Sequence, residues 1–271
     1  MSPAALSEET FQGVRGEIRT YTWEAADPRY VAVIAHGYGE HARRYDHVAG
    51  ALVADGASVA ALDHHGHGRS EGERASVSDP QDFIADLDAL VDRARERHPD
   101  LPVVLIGHSM GGLIAARYAQ QHADKLAALV LSAPVIGGNE AFTQLLALDP
   151  IPDVPIEPSV LSREPAVGEA YAADPLVYHG PFRRETLEAL LAAVEETAGG
   201  GEITLPTLWI HGENDLLAPL DATAAAAESI GAAAWETKVY PGAMHEIFNE
   251  TNRDEVIGDT IRFINAALAS H

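Results

Sequence analysis

Ser109 stands in a sequence setting that favours nucleophilic catalysis. It lies at the centre of Gly107-His108-Ser109-Met110-Gly111, which matches the pattern Gly-x-Ser-x-Gly, with a strand-type apolar run before it and a helical pattern after it. A strand, a tight turn and a helix in this order lift the serine hydroxyl to the end of a sheet, with the N-terminal amides of the helix directed at the same point. Glycine is needed on both sides because the neighbouring chain passes too close for a Cβ. The pattern therefore predicts that Ser109 is a nucleophile.

A serine hydroxyl is a weak nucleophile, so it needs a base and an acid that orients the base. In this arrangement the partners follow in the chain order Ser, Asp, His. Asp215 comes just after a predicted strand, and His245 lies between the last predicted strand and the closing helix. We expect His245 to take the proton from Ser109 and return it to the leaving alcohol, while Asp215 holds the imidazole tautomer. Glu213 is the competing acid and ranks below Asp215.

Acyl transfer also needs two N–H groups that bind the oxygen of the tetrahedral intermediate. One donor is expected from the residue after the nucleophile and the other from the loop that follows the first parallel strand. Residues 36–39 (HGYG) form that loop. The backbone N–H groups of Tyr38 and Met110 are therefore the predicted oxyanion donors.

Residues 63–68 (DHHGHG) raise the alternative of a metal site, since histidine is a common ligand. Neither the H-x-H-x-D-H order of metallohydrolases nor an HExxH motif occurs in the sequence. A tight loop after a strand, with its histidines bonded to neighbouring backbone, explains the segment more simply. We expect neither a metal ion nor another cofactor.

The elements that must position these residues alternate along the chain. The predicted strands are a hairpin within 10–24 and then 31–37, 57–63, 102–109, 126–134, 205–212 and 233–242. The predicted helices are 44–55, 79–98, 111–122, 220–230 and 252–269. This alternation favours an α/β fold with a mostly parallel sheet and helices on both faces.

Residues 135–200 interrupt that alternation. They are rich in proline, show two helical pieces and no strand, and lead into Gly199-Gly200-Gly201. We predict a core formed by 1–134 and 201–271, with 135–200 inserted as a helical cap or lid. The apolar residues of the insertion are Phe142, Leu145, Leu146, Leu148, Ile151, Val154 and Ile156. They are compatible either with an acyl tunnel or with plain packing onto the core.

Composition limits the class of protein further. The 271 residues carry 18 basic and 41 acidic side chains, a formal charge of −23, which disfavours nucleic acids and anionic lipid surfaces as partners. The absence of cysteine excludes disulfides and cysteine nucleophiles. There is no apolar run of transmembrane length, and MSPAALSEETFQ lacks the features of a secretory signal. We expect a cytoplasmic protein; its oligomeric state is left open.

Several segments together resemble the monoacylglycerol lipases of the α/β-hydrolase superfamily, and the bacterial members most closely. The resemblance runs from about residue 10 to 265 and rests on HGYGEHARRYDHVAGAL, DHHGHGRSEGERA, GHSMGGLIAARYA, LSAPVI, LSREPAV, HGENDLLAP and AMHEIFNE. GHSMG alone is a signature of the superfamily, whereas HGxGEH together with DHxGHGxSEG is more specific. The resemblance implies an α/β-hydrolase fold, a Ser109, Asp215 and His245 triad, and no cofactor.

The resemblance also implies a substrate. A monoacylglycerol would be cleaved to fatty acid and glycerol through an acyl-enzyme on Ser109, with Glu40 and Arg44 in a polar pocket for glycerol. The alternative for this pair, one helical turn apart, is that the two side chains simply pair with each other. Mammalian members carry a second histidine three residues after the catalytic one, where this chain has Phe248. That part of glycerol binding is therefore not transferred.

Other functions remain open at this point. A general carboxylesterase, a lysophospholipase or an S33-type serine peptidase would use the same triad, and a hydrolase-like binding protein with slow turnover would keep the same fold. A preference for a glycerol ester over a matched methyl ester would distinguish a monoacylglycerol lipase from the first group. For a lipid substrate we expect shallow, reversible contact of the cap with a membrane or micelle.

Overall fold

A mostly parallel sheet forms the centre of the computed structural model, which describes residues 5–270. Its strands are β1 (Ala5–Gln12), β2 (Glu17–Glu24), β3 (Tyr30–Ala35), β4 (Ala57–Leu62), β5 (Val103–His108), β6 (Ala128–Ser132), β7 (Thr207–Gly212) and β8 (Glu236–Tyr240). They lie in the order β1-β2-β4-β3-β5-β6-β7-β8. Strands β3 to β8 are parallel to one another, whereas β2 runs antiparallel to both β1 and β4.

Helices cover both faces of this sheet. They are α1 (Asp46–Ala54), α2 (Pro80–Arg97), α3 (Met110–His122), α4 (Glu140–Leu146), α5 (Pro165–Ala173), α6 (Arg184–Ala198), α7 (Leu220–Ser229) and α8 (Arg253–Ala269). Alternate residues of β3 belong to two cores: Val31 and Val33 pack on the side of α2 and α3, and Ala32 and Ile34 on the side of α1 and α8. Burial on both faces explains why the central strands are continuous apolar runs. The predicted α/β fold is confirmed.

The register of the parallel strands brings the ends of distant segments together. Ala35 pairs with Gly107, and His108 pairs with Ser132. Ser132 pairs in turn with Ile210. The loops that follow β3, β5 and β7 therefore leave the sheet at one edge, where open α/β sheets bind their ligands.

Two predicted segments differ from the structure in detail. The first strand of the hairpin begins at Ala5, because its backbone pairs with β2 as far as Glu24 even though residues 5–9 show little apolar alternation. Residues 135–200 contain three α-helices, α4 to α6, where two helical pieces were expected. No strand occurs within 135–200. The division into a core and a cap stays a prediction.

Residues 135–200 are joined to the loops of the sheet by hydrogen bonds at several points. His41 Nε2 lies 2.8 Å from an Asp174 carboxylate oxygen, and the Tyr178 N–H donates to the Gly39 carbonyl at 2.7 Å. Farther along, the Glu246 N–H donates to the Leu161 carbonyl at 2.7 Å. Within residues 5–270, no helix combines the length and apolar composition needed to cross a membrane.

Removing side-chain volume from the central strand should destabilise the fold. Leu105 in β5 is fully buried, whereas Leu6 in edge strand β1 is 37% exposed. Leu105→Ala should lower the free energy of unfolding by about 3 kcal/mol, since it loses apolar burial and leaves a cavity. Leu6→Ala is the matched control and should change it by about 0.5 kcal/mol or less. Urea unfolding measures both, and equal losses would contradict the burial assigned to Leu105.

Candidate active site

The turn at Ser109 has a strained backbone. Ser109 joins the end of β5 to the start of α3 with φ 55° and ψ −119°, a left-handed conformation that is rare for residues other than glycine. A Cβ added at Gly111 would lie 2.2 Å from the Ala35 carbonyl oxygen, and one at Gly107 would lie 2.3 Å from the Gly111 carbonyl oxygen. The close approach predicted for both glycines is confirmed. The turn holds the Ser109 hydroxyl above the end of the sheet.

Ser109, His245 and Asp215 form a continuous, buried series of hydrogen bonds. Ser109 Oγ lies 2.9 Å from His245 Nε2, and His245 Nδ1 lies 2.8 Å from Asp215 Oδ2. The other oxygen of Asp215 accepts from the N–H groups of Leu217 (2.8 Å) and Ala218 (2.9 Å). Since the carboxylate accepts, Nδ1 of His245 carries the proton and Nε2 is free to accept one from Ser109. The arrangement can deprotonate the serine as it attacks.

The charges of this series are adjusted by burial and by each other. Burial opposes protonation of His245, but the charge and hydrogen bond of Asp215, with the charges of Glu246 and Glu40, together raise the pKa of His245 above its ordinary value. Burial likewise opposes ionisation of Asp215, yet His245 keeps the pKa of this carboxyl below its usual value. A raised pKa makes His245 a stronger base toward the serine proton.

His211, a buried histidine in β7, contacts the loop that holds Asp215. His211 is fully buried, and its Nε2 lies 2.7 Å from the Ala218 carbonyl and 3.4 Å from Asp215 Oδ2. The Trp209 indole N–H donates to its Nδ1 at 3.1 Å, so the proton of His211 resides on Nε2. Burial lowers the pKa of His211. His211 is therefore a neutral donor that fixes the loop holding Asp215.

Hydrogen bonds to both the N–H and the carbonyl of Gly37 hold the loop after β3 in place. The Gly37 N–H donates to Glu40 Oε1 at 2.6 Å, and His36 Nδ1 lies 2.8 Å from the Gly37 carbonyl. His36 Nε2 accepts from the His64 N–H at 3.0 Å, which leaves the proton on Nδ1. In a trans peptide the carbonyl and the following N–H point in opposite directions. The bond from His36 thus also fixes the direction of the Tyr38 N–H.

Both predicted oxyanion donors lie next to the serine. A Cβ added at Gly37 would be 3.1 Å from the Cβ of Ser109, which brings the peptide before Tyr38 against the turn. Met110 is the first residue of α3, so its N–H has no acceptor within the helix. The arrangement can bind a developing oxyanion between the two loops.

A cavity lies over Ser109. Its empty volume is about 630 Å³, part of which is open to solvent. Its polar lining includes Glu40, Arg44, His108 and Glu246; because Arg44 bonds to both glutamates, these groups lie together and form a polar end. Its apolar lining comes from both the sheet loops and the insertion: Met110, Leu113, Val135, Phe142, Ile156, Leu161, Phe182, Leu190 and Leu217. The cavity can therefore hold a molecule with one polar and one apolar end.

Glu40 and Arg44 pair with each other, as the second alternative predicted, and their contact with glycerol stays a prediction. Arg44 Nη1 donates to Glu40 Oε2 at 2.7 Å, and both residues line the cavity. The pairing does not occur along a regular helix, because Glu40 lies in the loop before a short 3₁₀ helix (Ala42–Tyr45). Phe248 is buried and packs in the core on the side of α1 and α8.

Several lining residues were not anticipated from the sequence, among them Glu246, Tyr171 and Phe182. Glu246 reaches the polar end, and Tyr171 and Phe182 come from the insertion. Glu246 directly follows His245, so its position next to the predicted base was the one available signal. Tyr171 and Phe182 carried no such signal, since the path of the insertion over the sheet does not follow from its residue pattern.

Of the other candidates from the sequence, Glu213 and His67 have hydrogen-bond partners, whereas neither ring nitrogen of His64 has one among the described residues. Glu213 is exposed and accepts from the Gly242 N–H at 2.8 Å, away from the imidazole that Asp215 contacts. His64 and His67 are buried beside His36, at ring-centroid distances of 4.4 and 5.5 Å. In the described part of the chain, no three His, Cys, Asp or Glu side chains are grouped so that they could hold a metal ion.

Known proteins are similar to this chain over nearly its whole length. The family model described as serine aminopeptidase, S33, matches residues 26–252. The monoacylglycerol lipase of Mycolicibacterium smegmatis is 37% identical over 99% of this chain and 100% of its own, and the monoglyceride lipase of Rattus norvegicus is 34% identical over 90% and 84%. The crystal structure of the Paleococcus ferrophilus monoacylglycerol lipase is similar with a TM-score of 0.80 at 25% identity, covering 96% of this chain and 99% of that one.

Replacing the acid of the series should disable the base without unfolding the protein. Asp215→Asn should lower kcat on a short-chain 4-nitrophenyl ester by about 10⁴-fold, because the amide neither holds the required tautomer nor stabilises the imidazolium. Glu213→Gln is the matched control and should leave kcat unchanged.

The pH dependence of the wild type tests the same series. Protonated His245 cannot accept the serine proton, so kcat/KM should fall on the acid side with a midpoint above 6.5, the ordinary pKa of histidine. A large loss in Glu213→Gln, or a midpoint below 6.5, would contradict the assignment of Asp215.

Proposed function

Because the chain belongs to the serine aminopeptidase S33 family of hydrolases, we propose that it is a serine hydrolase that cleaves monoacylglycerol to a fatty acid and glycerol. The family assignment confirms the resemblance noted in the motifs. The observation that supports this function most directly is the hydrogen-bonded series of Ser109, His245 and Asp215 beneath a cavity with one polar and one apolar end. Such a cavity suits an acyl chain on a hydroxylated head group better than a peptide.

The first half of the proposed reaction forms an acyl-enzyme. Ser109 Oγ attacks the ester carbonyl carbon while its proton passes to His245 Nε2. The carbonyl oxygen becomes an oxyanion, bound by the N–H groups of Tyr38 and Met110. When the intermediate collapses, the bond to the glycerol oxygen breaks and His245 returns the proton to that oxygen, so glycerol leaves neutral.

The second half reverses these roles with water as the nucleophile. Water gives a proton to His245 as its oxygen attacks the acyl carbon, and the same amides bind the second oxyanion. The bond to Ser109 Oγ then breaks, and His245 returns the proton to the serine. The buried Asp215 carboxylate stabilises the imidazolium in both halves.

The apolar lining supplies the acyl site. Phe182 stacks on Tyr38 with ring centroids 5.1 Å apart, and Phe142 contacts Phe182 at the same centroid distance. Phe142 and Phe182 belong to residues 135–200, so the insertion acts as a cap that covers the acyl chain of the substrate. Glu40 and Arg44, proposed as glycerol contacts, form the opposite end. Polar groups there would be left unpaired by a second acyl chain, which disfavours diacylglycerol.

We also propose that the cap contacts the lipid surface from which the substrate comes. Leu148 and Val154 are 49% and 48% exposed, and Leu216, in the loop after β7, is 66% exposed. Asn139, the N-cap of α4, donates to the Leu216 carbonyl at 3.0 Å, which joins the two segments. With a formal charge of −23, contact should be shallow and should favour neutral lipid. The expected cytoplasmic location stays a prediction.

The substrate class is tested by kcat/KM on a matched panel with one acyl chain: 1-monoacylglycerol, its methyl ester, diacylglycerol and lysophosphatidylcholine. We expect monoacylglycerol to exceed the methyl ester and diacylglycerol by about 10-fold or more, because only the monoacylglycerol offers free hydroxyls to the polar end. Ser109→Ala should fold with a normal melting temperature and lose at least about 10⁴-fold in kcat.

Equal rates on methyl ester and monoacylglycerol would replace the proposal with a general carboxylesterase. A preference for lysophosphatidylcholine would replace it with a lysophospholipase. Turnover that survives in Ser109→Ala would remove the nucleophile assignment itself.

The lipid contact is tested by making the exposed apolar residues of the cap polar. Leu148→Ser with Val154→Ser should reduce binding to neutral-lipid vesicles by about 10-fold, since half-exposed apolar area would no longer leave water. Hydrolysis of a monomeric short-chain ester should be unchanged. Val14→Ser is the control, because Val14 is 54% exposed in the β1–β2 turn. Equal effects of the two variants on vesicle binding would contradict a contact through the cap.

A further inference from the structure

Arg44 at the polar end of the cavity is paired with two carboxylates. Its Nη1 donates to Glu40 Oε2 and to Glu246 Oε1, each at 2.7 Å, and its Nη2 donates to Glu246 Oε2 at 2.8 Å. The side chain of Arg44 is 10% exposed, and those of both glutamates are 5% exposed. Its guanidinium carbon also lies 5.1 Å from the centroid of the Tyr171 ring. Three of its five N–H groups and one face of its guanidinium are therefore occupied.

The two carboxylates have different tasks. Glu40 Oε1 accepts from the Gly37 N–H at 2.6 Å and from the Tyr45 hydroxyl at 2.7 Å, so Glu40 is part of the predicted oxyanion loop. Glu246 has no such tie to that loop, and it makes the two-point contact with Arg44. Its Oε2 also accepts from Asn249 Nδ2 at 2.8 Å. Glu246 is thus the group that completes the neutralisation of Arg44.

One guanidinium and two carboxylates leave this cluster with one net negative charge in a wall of the cavity. An arginine with free N–H groups would bind a phosphate by two parallel hydrogen bonds. Here Glu246 accepts from two of the N–H groups and Glu40 accepts from a third. An anionic head group would meet like charge in a poorly solvated site, where repulsion is weakly screened.

The hydrogen-bonding groups of the cluster favour an uncharged head group, as its net charge does. Ionised carboxylates only accept hydrogen bonds, so the cluster offers acceptors to whatever occupies the cavity. Glycerol hydroxyls can donate to them. A phosphate monoester dianion offers acceptors alone and satisfies none of them.

We propose that Glu246, by neutralising Arg44, makes the polar end of the cavity selective for uncharged hydroxylated head groups and excludes phosphate-bearing lysolipids. This rests on the proposed function, since it assumes that the head group of an acylglycerol lies at this end. Glu246 acts as a specificity-determining residue for the same reaction that Ser109 performs.

The test compares 1-acylglycerol with 1-acylglycerol 3-phosphate of the same chain, below their micellar concentrations, in wild type, Glu246→Gln and Glu250→Gln. The wild type should favour the neutral substrate by at least about 100-fold in kcat/KM. Glu246→Gln should reduce that ratio by about 10-fold or more, and kcat/KM on the phosphate should rise, because Arg44 regains N–H groups for an anion.

Glu250→Gln is the matched control. Glu250 is also buried and bonded to an arginine, Arg163 at 2.9 Å, but it does not line the cavity. Its replacement should leave the substrate ratio unchanged. An unchanged ratio in folded Glu246→Gln, or an equal fall of the ratio in both variants, would overturn the proposal.

A measurement on wild type alone covers the case in which Glu246→Gln does not fold. The ether analogue 1-O-alkylglycerol should inhibit competitively, and its 3-phosphate should inhibit at least about 10-fold more weakly. Equal inhibition would overturn the proposal. A wild type that cleaves a 4-nitrophenyl ester but no acylglycerol would instead refute the proposed function.

Discussion

The left-handed backbone of Ser109 is the constraint that the neighbouring structure has to support. A non-glycine residue in this region costs about 1–3 kcal/mol and persists only where its surroundings determine it. The Ser109 N–H donates to the Ser132 carbonyl at 3.0 Å, and the Ser109 carbonyl accepts from the N–H groups of Gly112, Leu113 and Val135 at 2.9–3.2 Å. These bonds reach both α3 and the segment after β6. The nucleophile is therefore held by its backbone, and its hydroxyl is free to bond with the base.

The loops that bring the other groups to Ser109 depend on the insertion as well as on the sheet. The carbonyl of Gly39, in the loop after β3, accepts from the Tyr178 N–H. The backbone N–H of Glu246, next to the base, donates to the Leu161 carbonyl. Leu161 and Tyr178 lie in the part of the insertion that contains α5. Helix α4 differs, because none of its residues is buried. The insertion thus has one part hydrogen-bonded to the loops of the site and one part, α4, with no buried residue. This agrees with the proposal of a cap that supports the site and also contacts lipid.

The sequence was informative where one local pattern determines one local structure. The Gly-x-Ser-x-Gly turn, the buried strands and the positions of Asp215 and His245 after strands follow from residue type and spacing, and the structure has them at those places. Contacts made across the chain were not predictable in that way. The contact of Glu246 with Arg44 joins residues 202 positions apart, and that of His41 with Asp174 joins residues 133 apart. Neither has a periodicity: the first depends on which loops the strand order brings together, and the second depends on how the insertion lies over the sheet.

Glu40 and Glu246 act on the base as well as, in our proposal, on the head group of the substrate. Burial works against a protonated His245; Asp215 opposes that effect most strongly, and Glu246 and Glu40 add to it. The imidazolium that forms in each transition state is therefore stabilised by three carboxylates, of which only Asp215 bonds to the ring. In the proposed reaction the product is itself a carboxylate, released beside Glu40 and Glu246. The same negative charge that stabilises the protonated base thus opposes retention of the fatty acid, so one buried cluster favours both the chemical step and the departure of its product.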